Sequence, residues 1–515
     1  MPIPYLAKFG MLPFDEPYQI LNGLDYRNTP LAPLSNLLGG IWGNMVGYEW
    51  IHYRYLAYCL YKLSILIAVG YMYFKTKDYL TTLIMTIILS LISTLFPVTQ
   101  NLYGWDCWSL PFLVCMIILT MEYIAQKRTW QLIVMGVLSA IIGFCRIPNF
   151  AIIPFVCIVL TYTNFKELSR KEQIKAVGTY LGISIIASFT LLCLMYGAPQ
   201  SYLAYLHENS IDDHGLINII KPLVTRTFMY LTYPAMLWCS FEILKKSYEN
   251  RKCFLLASAF VVAALYYFLR CDHSIQFCTV QNYTIGFVMI GMLALLYYDK
   301  SRYTKSILIS LLLLGSVPFV GSNGGIIKFA ALPIIPVLYI YMRPYVTRYI
   351  YIYSILCAVA LVLYAPFGLK KNGFADIGID ESNYEFSEGL LVNLRTSNKR
   401  AEKLNTFIAD VAPYRNYRKL ILRPGAEYIY EYVFLSRNNY LRHRFNGVSN
   451  DDSSYVDWVE QELMRQDDAV AVLLFDDNNP SLMSERLGKY CRKVKHTEKY
   501  SIYIKDNPKH ANTCN

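Results

Sequence analysis

Long apolar segments dominate the first 366 residues of this 515-residue chain, and each has about the length that a helix needs to cross a bilayer. Hydrophobic residues make up 55% of the chain and charged residues only 17%, which leaves too little charge to cover a soluble protein of this size. The composition therefore predicts an α-helical polytopic membrane protein and excludes a soluble enzyme, a coiled coil and a disordered chain. About twelve transmembrane helices are expected, near 56–74, 79–97, 108–125, 131–145, 149–163, 177–196, 226–244, 253–269, 280–298, 306–320, 326–342 and 349–366.

Basic residues set the orientation of these segments. The net charge is +11, and residues 1–366 hold 26 Lys and Arg against 16 Asp and Glu. Seventeen of those cations fall in alternate connections, which the positive-inside rule places in the cytoplasm. The connections near 98–107, 197–225 and 270–279 then face outward, together with both ends of the chain. Because the basic excess serves orientation, nucleic acid is not expected as a partner.

Three regions follow from this pattern. Residues 1–55 are expected to form an extracytoplasmic N-terminal loop, 56–366 the multi-pass membrane domain, and 367–515 a small extracytoplasmic α/β domain. Short apolar strands near 419–422, 469–475 and 500–504 alternate there with helix-like stretches. Residues 1–14 resemble the tail of an interrupted apolar segment. Either this short tail crosses the membrane unaided or a first helix is missing before it, and we favour the missing helix.

Acidic residues on the outward side are the first candidates for chemistry. Asp15 and Glu16 begin the first outward loop, Asp25 follows in it, and Asp106 is the one charge of the second outward loop. A carboxylate at the membrane surface serves as a general base or a metal ligand, although each acid alone is better explained as a helix cap. Carboxylates in two adjacent outward loops, all amid aromatic residues, favour a site.

Cations at the outward ends of segments form the second group: Arg54, Arg146, Arg226, Arg270 and Lys328. Arg binds phosphate in a bidentate fashion, and charge near membrane depth is expensive unless it serves a function. For Arg54 and Arg226, snorkelling of the long side chain to the interface is the simpler interpretation. Arg146 joins two apolar segments with almost no loop, and Lys328 is nearly as confined, so both are candidates to hold a phosphate.

The long outward loop at 197–225 carries His207, Glu208, Asp212, Asp213 and His214. These residues could bind a divalent cation, but a solvated loop is the favoured interpretation. The chain has no P-loop, no GxGxxG after a strand and no GxSxG, so nucleotide-driven chemistry is unsupported. No cofactor is established by the sequence, and a divalent metal ion is left open.

The stretch from Phe14-Asp15-Glu16-Pro17-Tyr18-Gln19 to Pro33-Leu34 resembles the first outward loop of GT-C-fold membrane glycosyltransferases. It is most similar to the branch that contains protein O-mannosyltransferases and lipid A aminoarabinose transferases. The acidic pair at the loop start, the Pro- and Leu-rich continuation, the many spans and the outward C-terminal domain all agree with that family.

The resemblance implies transfer of a sugar from a polyprenyl-phosphate donor to an extracytoplasmic acceptor, by single displacement with inversion. Asp15 would be the catalytic carboxylate that deprotonates or orients the acceptor hydroxyl, and Glu16 would support it. Asp106 matches the second acidic position. From their charge and position, Arg146, Arg270 and Lys328 are the candidates for the donor phosphate.

Three other interpretations stay open. A transporter or flippase of lipid-linked sugar shares the topology, but such proteins often contain paired repeats with broken helices, which this sequence does not show. A polymerase or ligase of surface polysaccharide shares the lipid substrate, and a structural or assembly protein would use Asp15 only as a cap. The favoured prediction is a bacterial enzyme of the inner membrane with its site facing the periplasm.

Overall fold

The computed structural model describes residues 7–11, 15–24, 31–94, 103–165, 167–208, 233–271, 279–320, 329–371, 379–422, 428–434, 451–475 and 481–506. Helices dominate it as far as residue 371, and a small α/β domain follows. This confirms the fold class that the sequence predicts. All of the apolar segments named above overlap a helix.

Two short helices precede the long ones. The helices up to residue 371 are α1 (Asp15–Asn22), α2 (Pro33–Val46), α3 (Trp50–Thr76), α4 (Tyr79–Thr94), α5 (Trp105–Gln126), α6 (Thr129–Cys145), α7 (Ile152–Asn164), α8 (Arg170–Tyr196), α9 (Pro199–Glu208), α10 (233–247), α11 (Arg251–Cys271), α12 (Thr279–Tyr298), α13 (Arg302–Ser316), α14 (Ala331–Met342) and α15 (Arg348–Lys371).

Seven of the described helical segments are long and apolar enough to cross a membrane: Trp50–Thr76, Trp105–Gln126, Ile147–Asn164, Arg170–Tyr196, Arg251–Arg270, Val280–Tyr298 and Arg348–Phe367. Two shorter apolar helices, Tyr79–Ser93 and Thr129–Cys145, accompany them. Their outer faces carry exposed apolar side chains such as Leu194, Leu256 and Leu363. Large apolar residues on the outside of a bundle are typical of a surface that faces lipid.

Two groups of helices form the interior. In the first, α6 packs between α5 and α8, while α3 contacts both α5 and α14. Helix α13 packs against α5 and α7 in the same group. In the second, α11 packs along α15, and α10 contributes Tyr233 and Leu237 to their shared apolar core. The candidate site described below lies in the first group.

The C-terminal domain contains a four-stranded mixed sheet. Strands β1 (Tyr384–Glu385) and β2 (Arg395–Thr396) form a separate antiparallel pair, while β3 (Arg418–Leu422), β4 (Val470–Phe475), β5 (Arg492–His496) and β6 (Tyr500–Lys505) pair in the order β3-β4-β6-β5. Strand β4 is buried along its whole length. The helices of the C-terminal domain are α16 (Asn398–Val411), α17 (Tyr428–Phe434), α18 (Ser453–Arg465) and α19 (Leu482–Tyr490).

The N-terminal segment 7–11 joins this domain to the helical bundle. Phe9 forms a parallel bridge with Arg395 of β2, and the N–H of Gly10 donates to the carbonyl of Arg395 over 2.9 Å. The ammonium of Lys8 lies 2.9 Å from the carboxylate of Glu385. The domain is therefore tied by backbone and charge to the residues that immediately precede α1.

Candidate active site

A buried ion pair anchors the start of α1 to α3. Glu16 and Arg54 are both fully buried, and Arg54 Nη2 lies 2.6 Å from Glu16 Oε2 while Nε lies 3.0 Å from Oε1. Arg54 Nη1 also donates to the carbonyls of Ala7 and Gly10, each over 2.9 Å. Arg54 therefore does not snorkel as the sequence suggested, because buried acceptors surround its guanidinium.

The same carboxylate connects α1 to the residues that immediately precede α5. The backbone N–H of Tyr103 donates to Glu16 Oε1 over 3.0 Å. Gly104 then caps α5, and Asp106 lies in the first turn of that helix. The structure thus brings Glu16 and Asp106 to one end of the bundle, although Glu16 itself is held by Arg54 and Tyr103.

Asp106 forms an ion pair with Arg146 across the ends of α5 and α6. Asp106 Oδ1 and Arg146 Nη1 are 3.5 Å apart, and the arginine is only 7% exposed. Arg146 Nη1 also donates to the carbonyl of Pro318 over 2.8 Å, in the short 3-10 turn that follows α13. Arg146 therefore lies where α5, α6 and α13 meet.

Helix α2 closes this junction from the side of the first loop. The hydroxyl of Ser35 donates to the carbonyls of Cys145 and Trp105, over 2.8 and 3.1 Å. The indole N–H of Trp105 donates to Asn36 Oδ1 over 2.9 Å, and both Ser35 and Asn36 are buried. These bonds satisfy the carbonyl at the end of α6 and fix the positions of Asp106 and Arg146 relative to α2.

Asn149 is a buried polar residue that no motif in the sequence marks as a site residue. It lies in the 3-10 turn Ile147–Ala151, directly after Arg146, and is fully buried. Neither Oδ1 nor Nδ2 of its side chain has a hydrogen-bond partner among the described residues. Since an unsatisfied buried amide is costly, this residue is a candidate to contact a ligand. The near-absence of a loop around Arg146 was the one signal that could have pointed to it.

Aromatic residues link the site to the C-terminal domain. Tyr18 of α1 lies 5.9 Å from the ring of Trp105 and 4.8 Å from that of Tyr428, measured between centroids. Helix α17, which begins at Tyr428, packs against α1, and the hydroxyl of Tyr432 donates to the carbonyl of Tyr48. The domain therefore rests on the helix that carries Asp15 and Glu16.

The other predicted site residues lie apart from this junction or outside the description. Asp15 is the first residue of α1, but its side chain is not among those described. Arg270 is exposed at the end of α11, 4.9 Å above the ring of Phe367, and no described contact joins it to Arg146. Asp25, Asp212, Asp213, His214, Arg226 and Lys328 lie outside the described residues, as do the side chains of His207 and Glu208.

A metal ion finds no ready ligand set in the part of the chain that is described. No three side chains of His, Cys, Asp or Glu lie together there. The acids at the junction, Glu16 and Asp106, each face an arginine. These two carboxylates are thus balanced by protein charge.

Comparison with known proteins gives two similar structures. No protein-family model matches the chain, and no curated protein matches it. The crystal structure of the Archaeoglobus fulgidus oligosaccharyltransferase in complex with Zn and sulfate is similar at a TM-score of 0.48 and 11% identity, over 92% of this chain. The crystal structure of ArnT from Cupriavidus metallidurans bound to undecaprenyl phosphate is similar at 0.43 and 10% identity, over 98% of this chain.

The alignments cover 66% of the oligosaccharyltransferase and 96% of ArnT. The chain thus spans slightly less than two thirds of the length of the first of these proteins. At identities of 10 and 11%, the roles of individual residues have to come from this chain's own contacts.

Proposed function

We propose that this protein is an integral-membrane glycosyltransferase that moves a sugar from a polyprenyl-phosphate donor to an acceptor outside the cytoplasm. The observation that carries the proposal is the meeting of Glu16, Asp106 and Arg146 at one end of the bundle. There, Asp106 pairs with the nearly buried Arg146, and Glu16 accepts from the backbone N–H of Tyr103, three residues before Asp106. The acceptor is a glycan, a lipid or a protein, and the site lies on the periplasmic side of the inner membrane.

Arg146 is the proposed binding residue for the donor phosphate. Its guanidinium is shielded from water, so its interaction with an incoming anion is stronger than at an exposed surface. As the glycosidic C–O bond breaks, negative charge grows on the polyprenyl phosphate that leaves. A fixed cation beside that oxygen stabilises the transition state more than the bound donor.

Asp15 is the proposed general base. The acceptor hydroxyl oxygen attacks the anomeric carbon, its proton passes to the Asp15 carboxylate, and the polyprenyl phosphate departs with the electron pair of the broken bond. Single displacement inverts the anomeric carbon. Glu16 positions this residue instead of reacting, because Arg54 and the Tyr103 N–H already hold its carboxylate.

Asp106 and the remaining cations complete the proposal. Asp106 is placed to orient Arg146 or the sugar, since its carboxylate faces the guanidinium at 3.5 Å. Arg270 and Lys328 remain proposed contacts to the donor phosphate. Asn149, buried beside Arg146, is an added candidate to donate or accept a hydrogen bond with the donor.

A deletion strain tests this function through the acceptor. Sugars released from the cell envelope are quantified after complementation with wild-type protein, Asp15→Asn or Asp380→Asn, the last being a matched control at an exposed acid. We expect one sugar to be missing in the deletion and in Asp15→Asn, and restored by wild type and Asp380→Asn. An unchanged envelope in the deletion contradicts the proposed function. Restoration by Asp15→Asn removes this residue from the mechanism and favours transport or assembly.

A further inference from the structure

A cavity at the opposite end of the bundle combines cationic and apolar walls. It measures about 850 Å³ and is lined by Cys157, Ile158, Thr161, Tyr162 and Phe165 of the α7 end, and by Lys300, Arg302 and Lys305 at the start of α13. Helix α13 runs from Arg302 to the turn that contacts Arg146, so about 22 Å separates this cavity from the candidate active site.

Arg302 is held in place at the centre of the cationic wall. Its guanidinium lies 5.2 Å above the rings of both Tyr162 and Phe165, and Nη2 donates to the carbonyl of Tyr162. Its Nε is buried and has no hydrogen-bond partner among the described residues. An immobilised guanidinium with an unused N–H is suited to receive one oxygen of an anion.

Positive charge accumulates around this arginine. Lys300 and Lys305 are exposed on the cavity wall, and burial, followed by the charge of Arg302, lowers the pKa of nearby Lys127. Two acids lie nearby among the described residues: Glu167 contacts Lys127, and the Asp299 carboxylate accepts from the Thr304 hydroxyl and the Ser301 N–H. Four cations, Lys127, Lys300, Arg302 and Lys305, stand against these two carboxylates, so positive charge is in excess at this wall.

The other wall opens towards the membrane. Ile158 of α7 and Phe165, which directly follows α7, are 51% and 53% exposed, and a bilayer around the bundle would cover them. A ligand that fills the cavity thus meets fixed cations with one part and apolar side chains, continuous with the lipid-facing surface, with the other. This combination matches an amphiphile with an anionic head, and a soluble phosphate ester would leave the apolar wall unused.

We propose that this cavity binds the headgroup of an anionic glycerophospholipid from the leaflet at the end of the bundle that carries Lys300, Arg302 and Lys305. The phosphodiester lies against these cations, and the acyl chains run along Ile158 and Phe165. The orientation predicted from the sequence places this end in the cytoplasm, where anionic lipids attract basic residues next to membrane spans.

Native mass spectrometry of the full chain in mild detergent tests the site with added phosphatidylglycerol, phosphatidylcholine or inorganic phosphate. The test variants are Arg302→Gln and the double variant Lys300→Gln/Lys305→Gln. The control is Lys245→Gln/Lys246→Gln, two exposed lysines outside the cavity lining at the same predicted side of the membrane. We expect phosphatidylglycerol to bind at least about tenfold more tightly than phosphatidylcholine, and the test variants to lose about tenfold while the control stays within twofold.

Equal affinity for the two lipids, or unchanged binding in both test variants, would overturn the proposal. Saturable competition by inorganic phosphate at the concentration of the lipid would also overturn it, because the ligand would then be a soluble phosphate compound. Each variant must elute as a monodisperse species. If Arg302→Gln fails to fold, the double variant Lys300→Gln/Lys305→Gln still tests the site, because it alters only exposed side chains. The result is independent of the proposed transferase activity, which concerns the other end of α13.

Discussion

Glu16 and Arg54 form the contact on which the position of α1 depends most. Removing one partner of a buried ion pair leaves an uncompensated charge, so Glu16→Gln should cost about 3–5 kcal/mol of unfolding free energy. Glu385→Gln is the matched control, because its ion pairs with Lys8 and Arg395 are partly exposed and should contribute less than about 1 kcal/mol. Thermal unfolding followed by tryptophan fluorescence in detergent measures the difference.

The double variant Glu16→Gln/Arg54→Met separates the cost of an unpaired buried charge from the loss of the contact that anchors α1. Replacing both partners removes the unpaired charge, so part of the lost stability should return, although transfer activity should stay low because α1 is no longer anchored. Equal stability of wild type and Glu16→Gln would contradict the pairing described for this site.

Arg146 is expected to act on the donor. Arg146→Gln should lower kcat/KM by about 10- to 100-fold, because a hydrogen bond to a charged group contributes about 1.5–3 kcal/mol. The kcat/KM of Arg146→Lys should lie between those of wild type and Arg146→Gln, since lysine keeps the charge but lacks the planar, two-pronged guanidinium. Arg343→Gln is the control: this arginine also donates Nη1 to a carbonyl, that of Thr76, but in the connection between α14 and α15. Steady-state assays with varied donor distinguish the two, and equal losses in both variants would argue against a role for Arg146.

At the scale of elements, the contact between α1 and α2 requires a glycine. A Cβ atom on Gly40 would lie 2.2 Å from the carbonyl oxygen of Gly23, which is backbone and cannot move aside freely. Gly40→Ala should therefore displace α1, lower the unfolding temperature by several degrees and reduce transfer. Gly182→Ala in α8 is the matched control, because a Cβ there meets no atom within 4 Å, and the change should be neutral or stabilise by up to about 1 kcal/mol. Similar losses in both variants would contradict this packing.

The helical elements were largely predictable, since apolar length alone marks a membrane helix. The strands β3, β4 and β6 were predictable for a similar reason: β4 is apolar on both faces and β6 is buried along most of its length. Strand β5 was missed, because its sequence Arg492-Lys493-Val494-Lys495-His496 is charged and mostly exposed at a sheet edge. Helix α19 was also missed.

The candidate site was predictable in part. The sequence selected Asp106 and Arg146 separately but could not pair them, because the contact joins residues 40 apart through the packing of α5 on α6. Snorkelling was predicted for Arg54 because the sequence shows only a lone cation at a helix end. It does not reveal that the carbonyls of residues 7–10 lie around the guanidinium. Glu16 could be recognised as an acid near the site, but not as an anchor that is already occupied.

For the whole molecule, orientation is the next property to establish. The distribution of basic residues predicts that the C-terminal domain lies outside the cytoplasm. Alkaline phosphatase fused after residue 515 should be active, and the same enzyme fused after Lys300, in a predicted cytoplasmic connection, should be inactive. The reverse pattern would place the Asp106–Arg146 junction in the cytoplasm and remove the need for a lipid-linked donor.

Mass spectrometry of lipid extracts tests the transferase proposal most directly, because it requires no prior choice of sugar. Cells with wild-type protein, a deletion, Asp15→Asn or Asp380→Asn are compared. We predict that one polyprenyl-phosphate sugar accumulates in the deletion and in Asp15→Asn, and that its level in Asp380→Asn equals that of wild type. An identical set of polyprenyl-phosphate sugars in all four extracts would contradict a lipid-dependent glycosyltransferase.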